Sequence, residues 1–260
     1  MFGNKLIINA DDFGINSNVN EAIVNCFQKN IINSTTLMAN MDGFDEAVEL
    51  AKLHGFETHI GLHVNLIEGK SLTDLSGTGL TDSNGFFIMN AIKNYRIYYS
   101  SELRLKIKNE ILAQYKKLLE HGIEPTHIDS HLHVHILPYL VSVFVAVTKE
   151  KNQTLRIVTV TKRKNLFIVF YNILLNSYLK ANKIQFSDKF GNAKFFENYL
   201  NTNKNVQQVF EIMVHPAMKG NEIVEIYANV NLEERITKLK EEYQLSLTNL
   251  EMQLIDIQKY

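Results

Sequence analysis

The sequence predicts an α/β fold: a parallel sheet covered by helices and closed as a (β/α) barrel. Three observations carry this. Strand-like and helix-like stretches alternate through most of the chain, the pattern of βα units. Polar residues collect where strands end, at Asp11-Asp12, His63, the His131 region and His215, and a (β/α) barrel places its active site at the carboxyl ends of its strands. An open doubly wound sheet would place ligands there too, but the chain has no Gly-rich dinucleotide or phosphate fingerprint. At 260 residues the length suits one such barrel or two smaller domains. No repeat, low-complexity tract or linker-like shift divides the chain, so a single domain over 1–260 is expected.

Lys5–Asn9 reads as the first strand. Asn18–Asn30 follows as a helix with Val19, Ala22, Ile23, Cys26 and Phe27 on one face, Asn18 as its cap and Glu21 as the reciprocal partner. Thr35–Ala39 is a short strand, and Phe44, Ala47, Val48 and Ala51 mark the next helix. Thr58–Leu66 resembles a strand that ends in a loop. Residues 68–94, with Gly69, Gly77, Gly79 and Gly85 among Ser, Thr and Asp, read as a long loop or lid. The longest helix signal is Ser101–His121, with Ile107, Ile111, Tyr115, Leu118 and Leu119 on one face. Pro125 begins a strand into the His-rich stretch, and Pro138 opens the following helix. Leu155–Val160 and Val209–Val214 read as buried strands. Asn231 caps a last helix carrying Leu232, Ile236, Leu239 and Tyr243.

Composition excludes several classes. Hydrophobic residues make up 45% and charged residues 21%, and 27 basic against 28 acidic residues leave a net charge of −1, so no basic field points to nucleic acid. The single cysteine, Cys26, forbids an internal disulfide and reads as core packing. The start of the chain has no basic region, apolar stretch and cleavage site in succession, so a cytoplasmic location is expected. Leu166–Leu175 is almost wholly apolar, but a bilayer span needs ~20 residues. It reads as a buried or partner-facing helix, compatible with a homodimer. The adjacent Lys162-Arg163-Lys164 keeps a membrane-surface role open.

The chemistry is carried by three segments. In IINADDFG, adjacent carboxylates at a strand end suit a division of labour, one holding a metal and the other moving a proton; an ordinary turn with a helix cap would look the same. Thr126–His135 (THIDSHLHVH) holds four of the nine histidines. His127, Asp129, His131, His133 and His135 are spaced by two, so an extended chain lines them along one face. A core strand would carry that many polar groups only if a metal or polar substrate satisfied them, with at least two of the histidines as support rather than ligands. His63 in HIGLHVNL is weaker evidence alone, and His59 lies on its side of an extended chain. One carboxylate and two imidazoles, from Asp12, His63 and His131, make a three-ligand site with positions open for water. That set suits Zn²⁺, Fe²⁺, Mn²⁺, Co²⁺ or Ni²⁺, and oxygen-rich variants tolerate Mg²⁺. In EIMVHPA, Glu211, Met213 and His215 share a strand face. His215, before Pro216, suits a general acid or is an incidental residue at a strand end.

Together, LIINADDFGIN, STTLMAN at Ser34–Asn40, IGLHVNL at Ile60–Leu66, THIDSHLHVH and EIMVHP at Glu211–Pro216 resemble the YdjC-like carbohydrate deacetylases, the family that includes chitooligosaccharide deacetylases. The resemblance runs in order over nearly the whole chain. It implies a distorted, TIM-like (β/α) barrel and removal of acetyl groups from N-acetylated sugars with a divalent cation, Mg²⁺ first, with Zn²⁺, Co²⁺, Mn²⁺ or Ni²⁺ as others. By motif, Asp12, His63 and His131 match the metal ligands and Asp11 the base. His215 is the candidate acid by analogy with related deacetylases. Asp129, His133, Arg156 and Glu211 are expected to face substrate or support these groups. Two departures stand out. The family's Arg-x-Pro-x-Glu is here Arg156-Ile-Val158-Thr-Val160, and Ala217 follows the final His-Pro where glycine is common. Both bear on the substrate pocket rather than on a ligand.

Three other readings share parts of this pattern. A phosphoester hydrolase would need more carboxylates or a basic clamp. An Fe²⁺ oxygenase shares the two-His-one-carboxylate set but usually sits on an antiparallel scaffold. A non-catalytic sugar-binding protein with a vestigial metal site predicts metal and glycan binding without acetate release.

Overall fold

The computed structural model describes residues 5–94, 100–159, 165–202, 208–243 and 247. The elements are β1 (Lys5–Phe13), α1 (Ser17–Gln28), β2 (Ser34–Leu37), α2 (Phe44–His54), β3 (Ile60–Val64), α3 (Ser101–Glu120), β4 (Ile128–Ser130), α4 (Val141–Glu150), α5 (Leu166–Ala181), β5 (Lys189–Gly191), α6 (Ala193–Thr202), β6 (Val209–Val214), β7 (Pro216–Lys219), β8 (Glu222–Glu225), β9 (Val230–Asn231) and α7 (Leu232–Tyr243). A six-stranded sheet has the order β4-β3-β2-β1-β6-β5, and β7-β8-β9 form a second sheet of three strands. Strands β1 and β6, β3 and β4, and β5 and β6 run parallel, while the small sheet is antiparallel. This is the α/β class the alternation predicted, with the parallel, helix-connected strands of a distorted (β/α) barrel.

The chain divides into two compact units. One comprises Met1–Asp11, Glu21–Thr35 and Thr154–Tyr260; the other comprises Asp12–Asn20 and Thr36–Gln153.

In the first unit, β1 and β6 pair from Lys5 with Val209 to Ala10 with Val214. Leu6, Ile7, Ile8, Phe186, Phe196 and Ile212 are buried there, each worth roughly 1.5–3 kcal/mol relative to exposure. Asn33 ties β1 to the chain before β2: its Oδ1 accepts from Ile8 N at 2.7 Å and its Nδ2 donates to the Leu6 carbonyl at 3.0 Å. Helix α7 buries Leu232, Ile236 and Leu239, and Asn231 caps it by accepting from Glu234 N at 3.0 Å, as expected. Among the described residues of the strand expected at Leu155–Val160, Leu155–Thr159 form a single β-bridge rather than a strand. Leu155 bridges Gln185, and Arg156, Ile157 and Val158 continue buried beside it; Val160 and Lys162-Arg163-Lys164 lie outside the described residues. Helix α5 buries just Asn172, Leu175 and Leu179. Phe167 stays 87% exposed and Phe170 61%, so of the two alternatives for Leu166–Leu175, buried or partner-facing, the buried one is corrected to a narrow buried stripe. Among the described residues, no helix is long and apolar enough to cross a membrane.

In the second unit, β3 and β4 pair through Leu62–Ile128, His63–Asp129 and Val64–Ser130. Gly61 allows that approach: a Cβ there would lie 2.6 Å from the His127 ring and 2.9 Å from its carbonyl oxygen. Helix α2 buries Phe44, Ala47, Val48 and Ala51, the face its spacing predicted. The cap of α1 is Asn16, whose Oδ1 accepts from Val19 N at 3.0 Å; Asn18, expected in that role, lies inside the helix. Helix α3 buries Glu110 and Gln114 beside its apolar residues, whereas Leu119, expected on that face, is 41% exposed. Glu110 accepts from Leu72 N, Thr73 N and Thr73 Oγ1 at 3.1, 2.8 and 2.7 Å. Buried polar groups are stable only when paired in this way, and this pairing fastens the Gly-rich loop to α3.

Candidate active site

Asp12 leaves the strand alternation. Its φ is +69°, a left-handed conformation that is uncommon outside glycine. Its carboxylate thereby meets two imidazoles. Oδ1 lies 2.7 Å from Nδ1 of His131 and 3.2 Å from Nε2 of His63. Ligand atoms of Asp12, His63 and His131 all fall within 4.8 Å of one another, and all three residues are buried. Donors at adjacent positions around one ion, each about 2.0–2.2 Å from it, sit about 3 Å apart. The donor set and its spacing therefore fit a divalent cation.

The charges of this cluster are coupled. Burial pushes the Asp12 carboxyl up, but hydrogen bonds from His131 and His63, with their charges, prevail and hold it well below the ordinary carboxylate range. Burial pushes His131 down, but its hydrogen bonds to Asp12 and Glu68 prevail and raise it above its ordinary value.

The other nitrogen of His63 is also committed. Nδ1 lies 2.6 Å from Oδ1 of the wholly buried Asp129, and Thr36 Oγ1 donates to Asp129 Oδ2 at 3.2 Å. With Nδ1 held by Asp129, Nε2 is turned to the Asp12 side, where a bound cation would take the place of the Nε2 proton, the usual arrangement of a carboxylate behind a metal-binding imidazole.

Strand β4 ends at Ser130, and His131–Ile136 form a 3₁₀ segment with Leu132 and His133 at φ +49° and +54°. The expectation that His127, Asp129, His131, His133 and His135 line one extended face is therefore corrected. The physical reason is Ser130, whose Oγ accepts from His135 N at 2.9 Å and lies 2.7 Å from His135 Nδ1, folding the chain back. His135 and His127 are buried, and His133 lies edge-on to His135 at 6.0 Å. His59 sits in a 3₁₀ turn before β3, off the strand it was expected to share with His63.

In the first unit, Asp11 ends a second cluster. Arg156, fully buried, donates through Nη1 and Nη2 to both Asp11 oxygens at 2.7 and 2.8 Å and through Nε to Glu211 at 2.7 Å. Asn9 Nδ2 donates to Asp11 Oδ1 at 2.8 Å. His215 follows β6, with Nε2 4.0 Å from Asp11 Oδ2 and Nδ1 3.4 Å from Glu225 Oε1. Glu225 also accepts from His215 N at 2.7 Å, and Tyr227 packs edge-on against the imidazole at 4.5 Å. Glu225, Thr36 and Glu68 escaped sequence reasoning, since a lone polar residue in a loop or short strand carries no periodic signal.

Comparison with known proteins identifies the family of the chain. The model of the YdjC-like protein family matches residues 5–250. The chain belongs to the YdjC-like family. Among its relatives is a carbohydrate deacetylase of Clostridium beijerinckii, 34% identical over 225 residues, which cover 85% of this chain and 84% of the relative. A chitooligosaccharide deacetylase of Escherichia fergusonii is 29% identical, with 84% and 83% covered. A crystal structure of a candidate cellobiose-phosphate cleavage protein from Enterococcus faecalis superposes with a TM-score of 0.74 at 24% identity, covering 96% of this YdjC-like chain and 98% of that one. At that identity the likeness shows the fold alone.

Proposed function

We propose that this YdjC-like protein is a metal-dependent hydrolase that removes the acetyl group from an N-acetylated sugar in the cytoplasm. The observation that carries the reading is the buried Asp12–His63–His131 group, with Asp129 behind His63, in a chain similar over most of its length to proteins named carbohydrate deacetylases. Asp12, His63 and His131 would hold the cation, Mg²⁺ by family resemblance, with Zn²⁺, Co²⁺, Mn²⁺ and Ni²⁺ also suited to the donors. When bound, a divalent cation there supplies Lewis-acid polarisation of the acetamide carbonyl and a more acidic water.

The remaining work falls to the chain's own groups. Asp11, one peptide bond from Asp12, is held by Arg156 with both oxygens oriented and its charge compensated. It takes a proton from the attacking water. His215, positioned by Glu225, gives a proton to the departing sugar nitrogen. The amide C–N bond breaks, the water oxygen ends in acetate, and a free amino sugar leaves. Asp129 orients His63; His133, Arg156 and Glu211 support the site or face substrate.

The test is acetate release from a panel of N-acetylated mono- and oligosaccharides, using metal-stripped protein reloaded with each cation in turn. Metal-dependent acetate from any sugar supports the reading. Stoichiometric metal binding without acetate from any of them favours a sugar-binding protein instead.

A further inference from the structure

The two imidazoles of the Asp12 cluster are built alike. His63 presents one nitrogen towards Asp12 and the other to Asp129. His131 presents Nδ1 to Asp12 at 2.7 Å, and its Nε2 lies 3.0 Å from Oε1 of Glu68. We propose that Glu68, the first residue of the Gly-rich loop, is the positioning residue for His131, as Asp129 is for His63. The inference rests on the metal-site reading above.

The backbone of Glu68 is fixed for this task. Its carbonyl accepts from Asn65 Nδ2 at 2.8 Å and Asn40 Nδ2 at 3.1 Å, and its N–H donates to Asn65 Oδ1 at 3.3 Å. Asn65 is anchored in turn: its N–H donates to Gln114 Oε1 at 3.0 Å, and its carbonyl accepts from Gln114 Nε2 at 2.8 Å. Gly69, at φ +73°, lets the chain pass Asn40, since a Cβ there would lie 2.8 Å from the Asn40 carbonyl oxygen and 2.6 Å from the Met41 sulfur. The loop therefore starts from a rigid root that delivers a carboxylate to a ligand histidine. A proton on Nε2, donated to Glu68, selects the tautomer whose Nδ1 lone pair faces Asp12 and makes that nitrogen a better donor.

The experiment is titration calorimetry of metal-stripped protein with Zn²⁺ at pH 8, for wild type, Glu68→Ala, Glu68→Gln and the loop control Asp74→Asn, with thermal midpoints of the metal-free proteins in parallel. Loss of a partner behind a metal-binding imidazole weakens affinity by about 10- to 100-fold. Glu68→Ala is expected to show that loss while the metal-free protein stays folded, its midpoint lowered only by the lost contact with His131. Glu68→Gln, which still accepts from Nε2 but carries no charge, is expected between Ala and wild type, and Asp74→Asn is expected to match wild type. A Glu68→Ala affinity within twofold of wild type, or tighter, overturns the positioning role and leaves the metal reading standing. If Glu68→Ala does not fold, the isosteric Glu68→Gln decides by the same criterion. A wild-type protein that takes up no Zn²⁺ overturns the metal reading, and the role of Glu68 with it.

Discussion

Arg156 grips Asp11 with two parallel N–H···O bonds, at 2.7 and 2.8 Å, while its Nε holds Glu211 at 2.7 Å. A planar guanidinium can serve both carboxylates at once, where a lysine would offer one point charge. The proline and glutamate that the motif places after the arginine are absent here, yet Arg156 has two acidic partners because Glu211 comes from β6.

Removing that guanidinium leaves the buried carboxylates of Asp11 and Glu211 without its compensating charge. Arg156→Met is expected to destabilise the fold by about 3–5 kcal/mol, read from the urea midpoint at constant slope. A loss below about 1 kcal/mol would show that water relaxes the site and that the triad is not a structural requirement.

The charge coupling of Asp12 and His131 predicts a pH dependence for the metal-free protein. His131 is raised above 6.5, so its contribution is complete below pH 6.5 and fades as pH climbs through the raised value. Asp12 is lowered below 3.8, so its contribution is present above pH 3.8 and is lost as pH falls through the lowered value. Both describe one ion pair and count once. Metal must displace the His131 proton, so Zn²⁺ affinity is expected to rise as pH climbs through the raised value of His131 and then level. Calorimetry in buffers of different ionisation enthalpy should register the released proton; equal heats in all buffers would contradict the coupling.

Much of this architecture is legible in the sequence, for physical reasons that also mark where it stops. The buried face of α2 and the Asn231 cap of α7 follow from local rules of spacing and capping that tertiary structure left alone. Asp12, His63 and His131 stand out because ionisable residues at strand ends need partners. The period-two histidines mislead: a spacing of two fits a strand, but the Ser130 hydroxyl, bonded to His135 five residues on, folds that segment after three residues of β4, and spacing alone does not distinguish such a turn from a continuing strand. Glu68 and Glu225 are illegible for a different reason, since each meets its histidine, His131 and His215 respectively, from a separate element of the chain.

Gly61 is predicted to be intolerant of a side chain. A methyl there meets the His127 ring at 2.6 Å and its carbonyl oxygen at 2.9 Å, and the backbone contact cannot be relieved by a rotamer change. Gly61→Ala is expected to cost about 1–3 kcal/mol through overpacking, checked by thermal unfolding. An unchanged midpoint would mean that β3 and β4 separate freely.

Cys26 is buried, and desolvation pushes its thiol up to about 12. Reactivity follows the thiolate, so Ellman's reagent at pH 8 is expected to leave the native protein unmodified and to label one thiol after denaturation. Rapid labelling of the folded protein would contradict the packing of α1.

The division of labour between Asp11 and Asp12 is the centre of the account, and one paired measurement reaches it: Zn²⁺ bound per chain and acetate released from the best N-acetylated sugar, for wild type, Asp11→Asn and His131→Ala. The account predicts that Asp11→Asn keeps its metal and loses acetate release by at least about 100-fold, while His131→Ala loses both. Acetate release by Asp11→Asn at the wild-type rate would contradict it.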